Sequence, residues 1–223
     1  MSANHPGALL IFAKWPEAGK VKTRLSPPLS AEDAAALYRC MLLDTVDSTK
    51  GLAGIDRFLC YDGEVAREAD FMAMAPDVAL FRQSGRDLGE RLDTAFAAAF
   101  GLGYRRVAVI GTDAPHTPAS DIGSAFSLLA AGDVDIVFGP TVDGGYYLLG
   151  MKELHRELFR DIPWSSRDVL QVSIDRAESA GLKASLLGSG FDLDTIEDLK
   201  RLAALQHVGL AGRTRRLVKS LGY

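Results

Sequence analysis

Gly19, Lys20, Lys22 and Arg24 follow closely on an apolar run that begins at Ala8. Ammonium and guanidinium groups at that spacing are ligands for phosphate oxygens, and a glycine lets backbone N–H groups approach the same anion. Lys14 and Thr23 complete this candidate phosphate loop; the alternative is a solvated basic surface turn. A Walker-type loop is excluded. No glycine stands five residues before Gly19, and Val21 occupies the place of the Ser or Thr that would hold Mg²⁺.

The second group is acidic. Asp113, beside Thr112, ends the apolar stretch "VAVIGTD". A carboxylate next to bound phosphate repels it unless a cation intervenes, which implies Mg²⁺ or Mn²⁺ held through one or two carboxylates and phosphate oxygens. An Asp at such a position also serves as the cap of a following helix. "GFDLDTIEDL" adds Asp192 and Asp194; a cap at Thr195 or Asp194 accounts for one acid and leaves the other free. In "PTVDGGYYLLG", Asp143, Gly144, Gly145 and Tyr146 interrupt a strand-like run. Adjacent glycines there mark a bulge, a close approach to a ligand, or a hairpin turn. The tyrosines offer stacking surface and a hydroxyl.

Elements must bring these groups together. Residues 8–14, 56–62, 78–83, 106–113 and 135–151 read as strands, several of them apolar on both faces. Between them, 30–49, 87–103 and 118–133 carry apolar residues at three- and four-residue intervals. Ser30, Asp87 and Thr117 or Ser120 are placed as N-caps, and Gly101 and Gly132 stand at the ends. Residues 166–180 predict a helix, 183–188 a strand, and 195–206 and 210–221 two further helices. Alternation of this kind predicts an α/β fold, a three-layer α/β/α sandwich on a mostly parallel sheet, with the crevice at the carboxyl ends of the strands. Without a linker or repeat, residues 1–223 are expected to form one domain.

Composition narrows the ligand. With 25 Lys+Arg against 29 Asp+Glu and a net charge of −4, no overall field favours nucleic acid, and a small phosphorylated ligand fits a local basic patch. Cys40 and Cys60 sit among apolar residues without metal-type spacing, which points to packing in a reducing cytoplasm. The start "MSANHPGALLIF" lacks the pattern of a signal peptide, no run is long enough to predict a membrane span, and the histidines lack ligand spacing.

Six ordered stretches, "AKWPEAGKVKTRL", "GRDLGERL", "GTDAP", "GPTVDGGYYLLG", "DIPWSSRDVL" and "DLDTIEDL", span Leu10 to about Leu202. Together they resemble the bacterial glycosyltransferase-like proteins often encoded beside radical SAM genes, of the nucleotide-diphospho-sugar transferase superfamily. The resemblance implies a glycosyltransferase A type fold and phosphate contacts from Lys20, Lys22 and Arg24. It also implies a metal ligand at Asp113 and, by similarity to the "vDTpeDL" stretch of sugar-acid cytidylyltransferases, a second at Asp194. Gly111 stands where an Asp-x-Asp signature would have its first acid, which weakens the sugar-transfer reading.

The leading expectation is nucleotidyl transfer from a nucleoside triphosphate to a phosphorylated or anionic acceptor. Lys22, Arg24 and Asp113 would be catalytic, and Asp113 and Asp194 would hold the metal. Arg86 and Arg91 are candidates for base or phosphate contact, or for plain helix-surface solvation. Trp164, Ser165 and Ser166, with the Asp143 to Tyr146 segment, are expected to line the acceptor pocket; core packing is the other reading of Trp164. Glycosyl transfer from a nucleotide-sugar, and nucleotide binding without turnover, are the alternatives.

Overall fold

The computed structural model describes residues 7–63, 67–205 and 209–223. Seven strands form one sheet, in the order β3-β2-β1-β4-β6-β5-β7. They are β1 (Gly7–Lys14), β2 (Ile55–Asp62), β3 (Ala79–Arg82), β4 (Val107–Ile110), β5 (Ile136–Pro140), β6 (Tyr146–Met151) and β7 (Ala184–Leu186). The helices are α1 (Ala31–Ser48), α2 (Glu68–Met74), α3 (Leu88–Gly101), α4 (Ala119–Ala131), α5 (Val169–Ser179), α6 (Ile196–Ala204) and α7 (Gly212–Ser220). β1 pairs in parallel with β2 and β4, β2 with β3, and β5 with β7; β6 alone runs antiparallel, between β4 and β5. The sheet is therefore mixed and mostly parallel, as expected.

Alternation along β1 explains the layers. Leu9 and Ile11 pack on one face with Leu42 and Val46 of α1, Phe71 of α2 and Ile122 and Phe126 of α4. Ala8 and Leu10 point the other way, toward Leu92 and Phe96 of α3 and Phe138 and Leu149. A third cluster joins Leu25, Leu37, Met41, Phe191, Leu193, Leu199, Leu202 and Val218, and it clamps the loop after β1 to the segment before α6.

The chain turns outward from β1 through β2 to β3, then returns to β4 on the other side of β1. That reversal opens the crevice at the carboxyl ends of β1 and β4. The expected strand over 135–151 is a hairpin, because Asp143, Gly144 and Gly145 form the turn between β5 and β6, and the register shifts at Gly139 and Pro140. Ser30 and Asp87 cap α1 and α3 through their side chains, whereas α4 is preceded by Pro118 rather than capped by Thr117 or Ser120. Gly132 ends α4 with φ 91°. Helix α2 was not expected from the sequence. The expected end at Gln206 lies outside the described residues, as do the first six residues. Cys40 and Cys60 are free thiols, and no described helix is long and apolar enough to cross a membrane.

Candidate active site at the strand ends

Three segments distant in sequence meet beyond β1 and β4. Lys22 Nζ contacts Asp113 Oδ1 and lies 2.7 Å from Asp194 Oδ1. Arg24 Nη1 stands 3.5 Å from Asp194 Oδ2, with its side chain 72% exposed. The local folding of each segment explains the meeting. Fully buried Leu25 anchors the short 3-10 turn Thr23–Leu25 that follows Lys22. The carbonyl of Asp113 accepts a backbone bond from Leu193 N at 2.9 Å. Phe191 and Leu193 are buried in the third cluster, and in extended chain the alternate residues Asp192 and Asp194 project to the other side.

Cap chemistry resolves the choice left open at Asp194. Thr195 caps α6 through a reciprocal box with Asp198, so the Asp194 side chain is free to face Lys22. Lys22 adopts a left-handed backbone, φ 47° and ψ 39°, a conformation costing a non-glycine residue roughly 1–2 kcal/mol. Its side chain is only 4% exposed. Burial pulls its pKa down, and Asp113 and Asp194 outweigh burial, so the ammonium titrates above its ordinary range.

Asp192 belongs to the same group. Burial, with Asp113, Asp194 and Asp143 around it, pushes its carboxyl up to about 7 against the pull of Lys22. Asp143, in the β5–β6 turn, accepts from Thr141 Oγ1 at 2.5 Å. Sequence reasoning missed Tyr38. Its hydroxyl oxygen accepts from Lys14 N at 2.8 Å and from Thr112 Oγ1 at 2.9 Å, tying the end of β1 to the end of β4. Its only signal was a place on the apolar face of α1, which carries no hint of that role.

Other expected site residues stand outside this meeting of charges. Thr112 is buried and its hydroxyl donates to Tyr38. Arg86 pairs with Glu90 one turn along α3, its guanidinium in solvent. Arg91 bonds Asp62 at the end of β2. Lys20 pairs with Glu17 on the surface, Gly19 has φ 76° and open space around it, and Lys14 is exposed at the strand end. Tyr146 turns its hydroxyl inward beside Ser173, and burial raises its pKa. Trp164 packs against Gly89 and the core beneath α3, which agrees with its packing reading. Gly144 closely approaches backbone, but that of Arg167, just after Ser165 and Ser166; Leu170 N also donates to Gly144 O at 2.9 Å.

A donor set of two hard carboxylates converging on one cation position suits Mg²⁺ or Mn²⁺, and the cation there is the ammonium of Lys22. Among the described residues no three His, Cys, Asp or Glu side chains come together as a metal cage. A divalent ion on Asp113 and Asp194 would complete its shell with phosphate oxygens and water.

The His116 ring lies tilted at 38° against Phe191, centroids 4.1 Å apart, and the Arg201 guanidinium lies 3.9 Å from the same phenyl ring. Burial, then Arg201 and Arg215, lowers the imidazole to about 4 from an ordinary 6.5. Between those values the unfolded chain binds on this imidazole a proton that the folded chain refuses, so the His116 contribution to stability falls as pH drops through that window. The slope approaches about 1.4 kcal/mol per pH unit at its steepest. Asp192, whose carboxyl is pushed up to about 7, contributes in the opposite sense over nearly the same range. From pH 7 to pH 4.5, urea unfolding should therefore show His116→Gln losing less stability, or gaining more, than the wild type. Identical slopes would remove His116 as the cause.

The strand order and the crevice at the carboxyl ends of β1 and β4 define a nucleotide-diphospho-sugar transferase fold of the glycosyltransferase A type. A structure from Desulfovibrio desulfuricans G20, given a provisional assignment as a nucleotide-diphospho-sugar transferase, is 34% identical. It covers 96% of this chain and 94% of its own, with a TM-score of 0.89. The chain belongs to the family described as "Uncharacterized protein conserved in bacteria (DUF2064)", which matches residues 45–166. More distant likeness shows the fold alone. CMP:2-keto-3-deoxy-manno-octonic acid synthetase complexed with CTP is 10% identical over 88% of this chain and 96% of that one, TM-score 0.57. Glucosyl-3-phosphoglycerate synthase of Mycobacterium tuberculosis, with Mn²⁺ and UDP, is 14% identical over 98% and 79%, TM-score 0.55. No curated protein matches the chain.

Proposed function

We propose that the chain is a metal-dependent nucleotidyltransferase. An anionic oxygen of the acceptor attacks the α-phosphorus of a nucleoside triphosphate, the bond to the β-phosphate breaks, and pyrophosphate leaves with the electron pair. The observation that carries this reading is the meeting of Lys22 with Asp113 and Asp194 at the crevice of the sheet. A phosphate acceptor is already ionised, so the reaction needs no general base. Lys22 and Arg24 offset the charge that develops on the departing pyrophosphate. Asp113 and Asp194 would hold the divalent ion, which when bound supplies charge neutralisation between carboxylate and phosphate. Asp143, Ser165 and Ser166 are assigned to the acceptor, and the packing of Gly144 against Arg167 keeps their two segments adjacent.

Glycosyl transfer is the second reading, favoured by the assignment given to the 34% identical structure. The products separate the two. The protein is screened with each nucleoside triphosphate and nucleotide-sugar, with and without Mg²⁺, for thermal stabilisation. A ligand at 100 times its Kd adds about 2.7 kcal/mol. Stabilising ligands are then incubated with panels of phosphorylated and carboxylated acceptors. Pyrophosphate release is expected; free nucleoside diphosphate would instead establish glycosyl transfer.

A further inference from the structure

We propose that Lys22 occupies the divalent cation's position in the nucleotide-free protein and gives it up only when a phosphate chain offers its ammonium other partners. Metal then enters with the nucleotide and not ahead of it. The inference rests on the metal-assisted reading above and adds the order in which its two ligands bind.

Geometry supplies the first reason. The two carboxylates assigned to the metal already converge on Lys22 Nζ, which contacts Asp113 and lies 2.7 Å from Asp194. A divalent ion between those oxygens cannot share the space with an ammonium, and like charges so close repel strongly. Burial supplies the second. The Lys22 side chain is 4% exposed, so a metal that displaced it from both acids would strip a buried ammonium of both its ion-pair partners, leaving nearby only Asp192, whose own burial disfavours its charge. Phosphate oxygens remove that obstacle, since they accept from the ammonium while also ligating the metal.

The loop before Lys22 has space in which to move. Its backbone is left-handed, a conformation that persists where surrounding contacts hold it. Three residues earlier Gly19, φ 76°, has no atom within 4 Å of its outward face, so the loop has room to turn there. Arg24 remains beside Asp194 and largely in solvent, and can follow the phosphates without losing hydration.

The test uses Mn²⁺ as the metal and inorganic pyrophosphate as the phosphate chain. Metal retained with the protein is measured by ultrafiltration, since the free Mn²⁺–pyrophosphate complex passes the membrane. At low Mn²⁺, pyrophosphate should raise the metal retained by the wild-type protein at least tenfold. Without pyrophosphate, Lys22→Met should bind Mn²⁺ at least tenfold more tightly than wild type, and adding Asp113→Asn should abolish that gain. Equal wild-type retention with and without pyrophosphate would overturn the inference while leaving metal-assisted transfer standing. So would a Lys22→Met protein that binds no more tightly than wild type. Failure of every form to retain Mn²⁺ under any condition would overturn both. Should Lys22→Met lose its far-ultraviolet circular dichroism, the wild-type comparison decides alone.

Discussion

Asp113→Asn is expected to lower kcat/KM for nucleotide transfer by about three orders of magnitude while leaving the protein folded. The substitution keeps the size of the side chain and the backbone carbonyl that accepts from Leu193 N, so the segment bearing Asp192 and Asp194 stays docked. What is lost is one of two negative charges facing a single cation position. Lys22 retains Asp194 as its counter-ion, so the loss of stability should be modest, on the order of 1 kcal/mol and a few degrees in Tm. Activity and stability therefore separate, and a thermal melt beside steady-state kinetics reads both. Arg86→Ala completes the comparison. A phosphate ligand at that position would cost most of the activity, whereas an arginine paired with Glu90 on the surface of α3 should change kcat/KM by less than about twofold. Retention of kcat/KM in Asp113→Asn within tenfold of wild type would remove that carboxylate from the chemistry and the proposed mechanism with it.

The difference between Asp113 and Arg86 also marks what a sequence can carry. The parallel sheet was legible because β1, β2 and β4 are apolar runs separated by helix-length segments, and that order puts the ends of β1 and β4 on one edge. From the strand end at Asp113 and the basic loop, the charge logic of phosphate and metal follows without coordinates. Partner choice was not legible. Lys20 and Lys22 look alike in sequence, yet one pairs with Glu17 in solvent and the other is buried between two acids. That difference arises from a single left-handed residue and the burial of Leu25. Tyr38 was hidden for a related reason. Its ring belongs to the apolar face of α1, and its hydroxyl acquires a role only after β1 and β4 are paired beneath it. Helix α2 is short and lies against an edge strand, so it presents little periodicity to detect.

Gly144→Ala is expected to destabilise the protein by about 3 kcal/mol or more, the largest effect of any single-methyl addition in the site region. Two costs combine. The backbone at Gly144 has φ 93°, which a side chain disfavours by roughly 1–2 kcal/mol, and its added Cβ would fall 2.0 Å from the carbonyl oxygen of Arg167 and 2.7 Å from its carbonyl carbon. Backbone cannot rotate aside as the end of a flexible side chain can, so the β5–β6 turn and the Arg167 segment must separate. Separation also strains the bond from Leu170 N to Gly144 O, at the start of α5. Gly19→Ala isolates the conformational part, because Gly19 has φ 76° and nothing within 4 Å of an added Cβ. Urea unfolding of the two variants should differ by at least about 1–2 kcal/mol, with Gly144→Ala the less stable. On the acceptor assignment, Gly144→Ala should further raise KM for the acceptor more than KM for the nucleotide, because Ser165, Ser166 and Asp143 shift together while Lys22 and Asp113 do not. Equal losses of stability in the two variants would mean that the turn does not rest on Arg167.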